Sequence, residues 1–306
     1  MNPLRGVLFK ILSVAAGSLM AACVKIAIVD LPAGQIVFFR SLFALPPLLL
    51  FYGLRGQLKG ALRVVSRSAH LLRGLVGVAG MGLVFTAYGL LPLPEATAIT
   101  FAAPLFATLL AAPLLGERLR RYRLLATGAG LCGVAIVMAP RLTLFGGAAT
   151  SPAEAWGAAA ALGGALCMAL AQVQVRRLTR TETTVSIVMW FTISCTSYSL
   201  LTAPTWVMPT GPEWGLLALA GLLGGAAQVL LTEAYRHAEA GLAAPFDYLS
   251  MLFATAIGFV LFAEVPAVPT MIGATVVIGA GITVIRRERR LGLDRRRALK
   301  AMAPRG

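Results

Sequence analysis

The sequence predicts an all-α polytopic membrane protein with ten transmembrane helices, built as two inverted five-helix repeats. Three observations carry this expectation. The 306-residue chain is 58% hydrophobic and 13% charged, with a mean hydropathy of +0.82, whereas a soluble domain carries roughly 25% charged residues. Ten apolar runs, most about 20 residues long as a span of the hydrocarbon core requires, are divided by short polar breaks. Landmarks of the first half also recur in the second. Ala87–Phe101, AYGLLPLPEATAITF, returns 147 positions later as Ala234–Tyr248, AYRHAEAGLAAPFDY. At a spacing of 151, Ile36-Val37-Phe38-Phe39 matches Ile187-Val188-Met189-Trp190, and Val24-Lys25 matches Val175-Arg176.

The runs lie at about 6–28, 33–53, 70–91, 95–115, 122–139, 154–175, 184–203, 213–235, 240–263 and 268–285. None alternates with a period of two, and a helix satisfies its own backbone hydrogen bonds in lipid. The first run, preceded by Arg5, imitates a secretory leader, and Met20-Ala21-Ala22-Cys23 resembles a lipoprotein cleavage site. Its match in the second half assigns it to the fold instead. Pro104 and Pro245 predict bends near the two copies of the repeated stretch. Gly74, Gly77 and Gly80, and Gly221 with Gly225, make small-residue faces for close helix packing.

Charge placement sets the orientation. With the N-terminus in the cytoplasm, all but three of the 27 basic residues fall on the inner side or its flanks. The exceptions are Arg141, in an outer loop, and Lys25 and Arg40, within runs. Both termini are therefore expected to be cytoplasmic, and the basic tail suits an anionic lipid surface. Five runs per half is an odd number, so the second half must be inverted. The loops agree: Arg55 to Arg67 is basic while Pro204–Pro212 has no Lys or Arg, and Asp30–Pro32 has none while its partner carries Arg176, Arg177 and Arg180. The expected units are a first repeat, 1–145, a second repeat, 146–288, and a basic tail, 289–306. Inverted repeats of this kind are typical of alternating-access carriers, with the site near the midplane.

Ten runs, the five-plus-five inversion, and the run ends Gly116-Glu117 and Ala263-Glu264 resemble the EamA-type transporters of the drug/metabolite transporter superfamily. Phe38-Phe39-Arg40 and Leu91-Pro92-Leu93-Pro94-Glu95-Ala96 look most like the branch containing S-adenosylmethionine uptake carriers. Ala244-Pro245-Phe246-Asp247-Tyr248 is also similar to bacterial members. The resemblance implies a carrier in the bacterial inner membrane and leaves the cargo open.

An ionisable group inside a span costs roughly 2.5–3.5 kcal/mol on insertion scales, so each needs a reason. Arg40, about two turns into the second run, is a candidate partner for a substrate carboxylate or a gate; the alternative is an arginine that bonds helix ends or snorkels. Lys25 is read as snorkelling, with Asp30 and Glu95 as possible partners for either base. Glu233, Arg236 and Asp247 meet if the eighth and ninth runs form a hairpin, as a gate, a proton-coupled site or a static brace. Their repeat equivalents, Thr86, Gly89 and Thr100, are neutral. A carboxylate is unfavourable at its own helix C-terminus, so Glu117 and Glu264 are expected to cap a neighbouring helix.

The expected binding cavity draws on Phe85, Tyr88, Phe101, Gln172, Trp190, Gln228 and Tyr248. Buried amides seek partners, and the aromatics could stack on a flat or cationic metabolite or simply pack. No HExxH, GxSxG, P-loop or GxGxxG is present, and the four cysteines form no CxxC pair. The two histidines, His70 and His237, fall at the inner ends of runs, where an interfacial role is expected. No catalytic residue, metal or cofactor is expected. The expected partners are a small-molecule substrate and membrane lipids, without nucleic acid, for a monomer or homodimer. A secondary-active transporter of a small polar or amphipathic metabolite, such as an amino acid or an S-adenosylmethionine-like compound, is the leading reading. A flippase for a lipid-linked substrate is the alternative, and an intramembrane enzyme is a remote one.

Overall fold

The computed structural model describes residues 3–116, 121–139, 151–237 and 244–302, and these are helical without a strand. In chain order the helices are α1 (Pro3–Ala27), α2 (Ala33–Leu54), α3 (Arg67–Leu90), α4 (Leu93–Thr100), α5 (Ala102–Leu115), α6 (Arg121–Met138), α7 (Pro152–Leu178), α8 (Thr184–Ser199), α9 (Gly211–His237), α10 (Leu249–Phe262) and α11 (Val268–Met302). Among the described residues, seven helical stretches are long and apolar enough to cross a membrane, with shorter apolar helices at Leu124–Met138, Phe246–Phe262 and Val268–Thr283. The chain is an integral, all-helical membrane protein.

Local chemistry sets the helix ends. The Ser66, Ser151 and Thr183 side chains accept from Ala69, Glu154 and Ser186 N–H at the starts of α3, α7 and α8, satisfying donors that lack intrahelical partners. α5 ends at Gly116 and α10 at Ala263, both left-handed, with φ of 68° and 54°. That conformation is free for glycine and costs an alanine roughly 1–2 kcal/mol.

The expected single run at 95–115 is divided at Phe101 into α4 and α5. Pro104 has no N–H to offer the Thr100 carbonyl, so the helix turns there. At the second copy of the repeated stretch, the 3-10 turn Ala244–Tyr248 precedes α10. α8 likewise gives way to a 3-10 turn, Leu200–Thr205, which contains Pro204. α11 runs to Met302, well beyond the apolar run that ends near 285.

The described connections lie at two ends of the bundle. At the end holding the start of α1, here the N-terminal face, Arg55 after α2 meets Glu233 of α9, and Val65 and Ser66 before α3 meet Glu182 before α8. At the far face, Lys25 near the end of α1 and Leu93 at the start of α4 meet Glu264 after α10, and Gln35 of α2 meets Val207. The most extensive helix pairs, α1 with α9, α3 with α7, α6 with α11 and α2 with α9, all join the first half of the chain to the second.

The glycine faces are where these helices approach. A Cβ at Gly74 or Gly77 of α3 would overlap Ser194 or Phe191 of α8, and one at Gly80 would lie 3.0 Å from Cys167 of α7. Gly221 and Gly225 of α9 receive Phe43 and Pro47 of α2, and Gly133 of α6 faces Gly273 of α11. Without a hydrophobic drive between helices in lipid, such contact is a main source of cohesion.

Candidate functional site

Charged side chains lie at three levels of the bundle. At the far face, Lys25 Nζ is 2.8 Å from Glu264 Oε1 and donates to the Tyr88 and Leu91 carbonyls at 3.1 and 2.6 Å. The Lys25 and Glu264 side chains are 12% and 17% exposed, so Lys25 is held inside and does not snorkel. The other oxygen, Glu264 Oε2, accepts the Leu93 N–H at 2.8 Å. It therefore caps α4, the role expected of it; Glu117 lies outside the described residues. The left-handed Ala263 turns the chain so that one carboxylate serves both tasks. Asp30 is exposed and Glu95 is buried in the first turn of α4, and the bond made by Lys25 goes to neither.

At the N-terminal face, Lys10 of α1 is 2.6 Å from Asp247, with side chains 3% and 49% exposed. Arg55 pairs with Glu233, and its guanidinium lies 4.2 Å over the Phe51 ring. Donating a hydrogen bond to the Glu233 carboxylate raises the Arg55 pKa above its ordinary value. His70 is 1% exposed, with Nε2 3.5 Å from Glu182 Oε1, and His237 Nδ1 lies 3.0 Å from the Glu233 carbonyl. Glu233 and Asp247 thus each join a base from the first half, and the Arg236 side chain lies outside the described residues. A cavity of about 300 Å³ opens beside Arg55, lined by Phe51, Tyr52, Gln57, Thr183, Thr184, Val185 and Thr232.

Between these levels sits Arg40. Its Nε and Nη1 point at the sulfurs of Met20 (α1) and Met81 (α3), at 3.4 and 3.5 Å. A Cβ at Gly224 of α9 would lie 2.9 Å from its Nε and Nη2, so the glycine lets the guanidinium lie against α9 in this position. Arg73 of α3 is 8% exposed, donates to the Ile187 carbonyl at 2.9 Å and stacks 4.2 Å over Phe191.

The expected aromatic set falls into separate groups. Phe85 and Tyr88 stack at 6.2 Å on α3, while Phe101 and Tyr248 meet at 5.2 Å across the two halves. Tyr88 borders three of the apolar clusters of the core, and the Tyr248 hydroxyl occupies the space above Gly281. Trp190 is remote from them, near the N-terminal face, where its indole donates to Leu62 O at 3.2 Å. Gln228 is half-buried and Gln172 is exposed. None of the seven lines the 300 Å³ cavity.

Charge placement puts Lys10 and Arg73 among the flanking positive charges of the inner side, yet both are buried in the bundle. Their distance from the nearest loop was the available signal: each lies about two turns inside its helix.

The described helices thus form a polytopic bundle whose buried charges pair across its two halves. The sequence matches the EamA-like transporter family over residues 4–139 and again over 155–287, and the chain belongs to that family. Its relatives include the pseudopaline exporter CntI of Pseudomonas aeruginosa strain UCBPP-PA14, 33% identical over 92% of this chain and 96% of that one. The riboflavin transporter of Rhizobium johnstonii is 31% identical over 82% of this chain and 79% of its own. The S-adenosylmethionine uptake transporter of Rickettsia prowazekii is 26% identical over 94% of each. A solved crystal structure, 22% identical, superposes with a TM-score of 0.65 over 95% of this chain and 99% of its own, which shows the shared fold.

Proposed function

We propose that this protein is a secondary-active, alternating-access carrier of a small polar or amphipathic metabolite, in the bacterial inner membrane with both termini cytoplasmic. One observation carries the reading: each end of the bundle holds ion pairs whose members come from different halves, Lys25–Glu264 at the far face and Lys10–Asp247 and Arg55–Glu233 at the N-terminal face. In this reading they are the closures of the two mouths. A mouth that opens admits water and rehydrates both charges. The net cost of breaking such a pair then falls from several kcal/mol in a dry interior toward the ~0–1 kcal/mol of a surface pair. Ionic closures can therefore trade places at low cost as the halves rock.

Two inverted repeats, 1–145 and 146–288, are supported by contacts that exchange when the halves are swapped. α1 with α9 corresponds to α7 with α3, α2 with α9 corresponds to α8 with α3, and α6 with α11 and α2 with α8 are their own counterparts. The glycine contacts follow the same register. Gly224 against Arg40 corresponds to Gly77 against Phe191, and Gly221 against Phe43 to Gly74 against Ser194. The double match to one family is in keeping with this. The named relatives carry chemically different molecules, one by export and another by uptake.

The test joins Lys25→Cys to Glu264→Cys by a disulfide, with the native cysteines replaced. Locking the far face should speed labelling of a Tyr248→Cys reporter from the N-terminal face. Unchanged labelling would contradict the rocking reading.

A further inference from the structure

Four intramembrane or interfacial bases, Lys10, Lys25, Arg55 and His70, each have a carboxylate within ion-pair distance. Arg40 and Arg73 have none among the described residues. Arg40 reaches Met81 of α3, and Arg73 stands eight residues earlier on that same helix, about 12 Å along its axis. Arg40 spends two donors on thioether sulfurs, which are weak acceptors, and Arg73 Nε is buried without a hydrogen-bond partner. Arg40 remains partly accessible. An uncompensated charge in an apolar interior is costly unless something supplies the counter-charge. A guanidinium also presents a planar fork of donors that fits a carboxylate or phosphate at two points.

We propose that Arg40 is the anchor of an oxyanion site, with Gly224 giving the guanidinium its room and Arg73 adding positive field behind it. The ligand group is a carboxylate or a phosphate, held by charge-assisted hydrogen bonds that replace the two sulfur contacts. This names the substrate class of the proposed carrier and rests on that reading for its role in transport, though not for anion binding itself. The swap of halves sets Phe191 where Arg40 stands, so the site is one-sided. The Phe191 position holds its cation, Arg73, 4.2 Å over the ring, whereas the Arg40 fork faces two sulfurs.

The experiment uses the wild-type protein in detergent or nanodiscs, with an arginine-specific phenylglyoxal reagent and peptide mapping of the Arg40 adduct. Inorganic phosphate and glutarate are the two probes, against choline chloride at equal ionic strength. At ten times its dissociation constant, a bound anion should slow Arg40 modification about tenfold. Protection by phosphate alone assigns phosphorylated ligands, and protection by glutarate alone or by both assigns carboxylates as accepted ligands. No protection by either overturns the site.

A second measurement separates this role from a structural one. Arg40→Met should leave the unliganded protein at least as thermostable as wild type and abolish any rise in Tm with the protecting anion. A lowered Tm with the anion response retained would make Arg40 a packing residue. Neither readout depends on rocking, so failure of the site and failure of the carrier reading are distinguishable.

Discussion

Glu264→Gln isolates the far-face closure. The substitution keeps an amide oxygen for the Leu93 N–H and so preserves the start of α4, but it removes the charge 2.8 Å from Lys25 Nζ. Lys25 would retain only the Tyr88 and Leu91 carbonyls. Orphaning one member of a buried pair costs about 3–5 kcal/mol. The 12% and 17% exposure of the two side chains and the surviving carbonyl contacts put this case at the low end, about 3 kcal/mol. If the pair exists only with the far face closed, that penalty shifts the closed-to-open ratio by about two orders of magnitude. The assay is maleimide labelling, from the far face, of a Phe85→Cys reporter in a variant lacking the native cysteines. Phe85 is 3% exposed and lies beneath the closure on α3. Labelling should accelerate up to about a hundredfold. An unchanged rate in a folded, helical protein would refute the reasoning.

Arg55→Met should act in mirror image, speeding reporter labelling from the N-terminal face; its effect should be smaller, because the Arg55 side chain is 32% exposed. Gly281→Ala places a methyl group where the Tyr248 hydroxyl sits and should cost about 1–3 kcal/mol. Adding Tyr248→Phe should recover part of the lost Tm, and a double variant no better than the single one would remove that contact from the account. Ala263→Gly relieves a left-handed alanine, gaining up to about 1 kcal/mol once unfolded-state entropy is offset. Thermal melting checks it, and a fall in Tm would count against the strain.

The helical course was largely readable because lipid demands continuous apolar sequence. Glycine spacing revealed the faces that touch because small residues permit close approach. The capping role of Glu264 followed from helix electrostatics alone. The partners of the buried bases were not readable. Lys10 with Asp247 and Arg55 with Glu233 depend on how helices far apart in sequence rotate against one another, and periodicity within one helix does not fix that. Composition could not tell Arg73, inside the bundle, from the basic loop that precedes it. The exposure of Gln172 was not readable either: the Ala- and Leu-rich body of its helix has no hydrophobic stripe to mark the buried face. The aromatics near the two repeated stretches divide into pairs because Phe85 and Tyr88 share one helix, while Phe101 and Tyr248 stand at the two helix breaks.

The most direct test of rocking is a pair of distances read in the same protein. Spin labels at Val29 and Val265 span the two halves at the far face, and labels at Leu54 and Arg180 span them at the N-terminal face; all four positions are exposed. Alternating access predicts opposite changes, one distance lengthening as the other shortens, with Glu264→Gln favouring the far-open population. Two distances that rise together, or that never change under any variant, would contradict it.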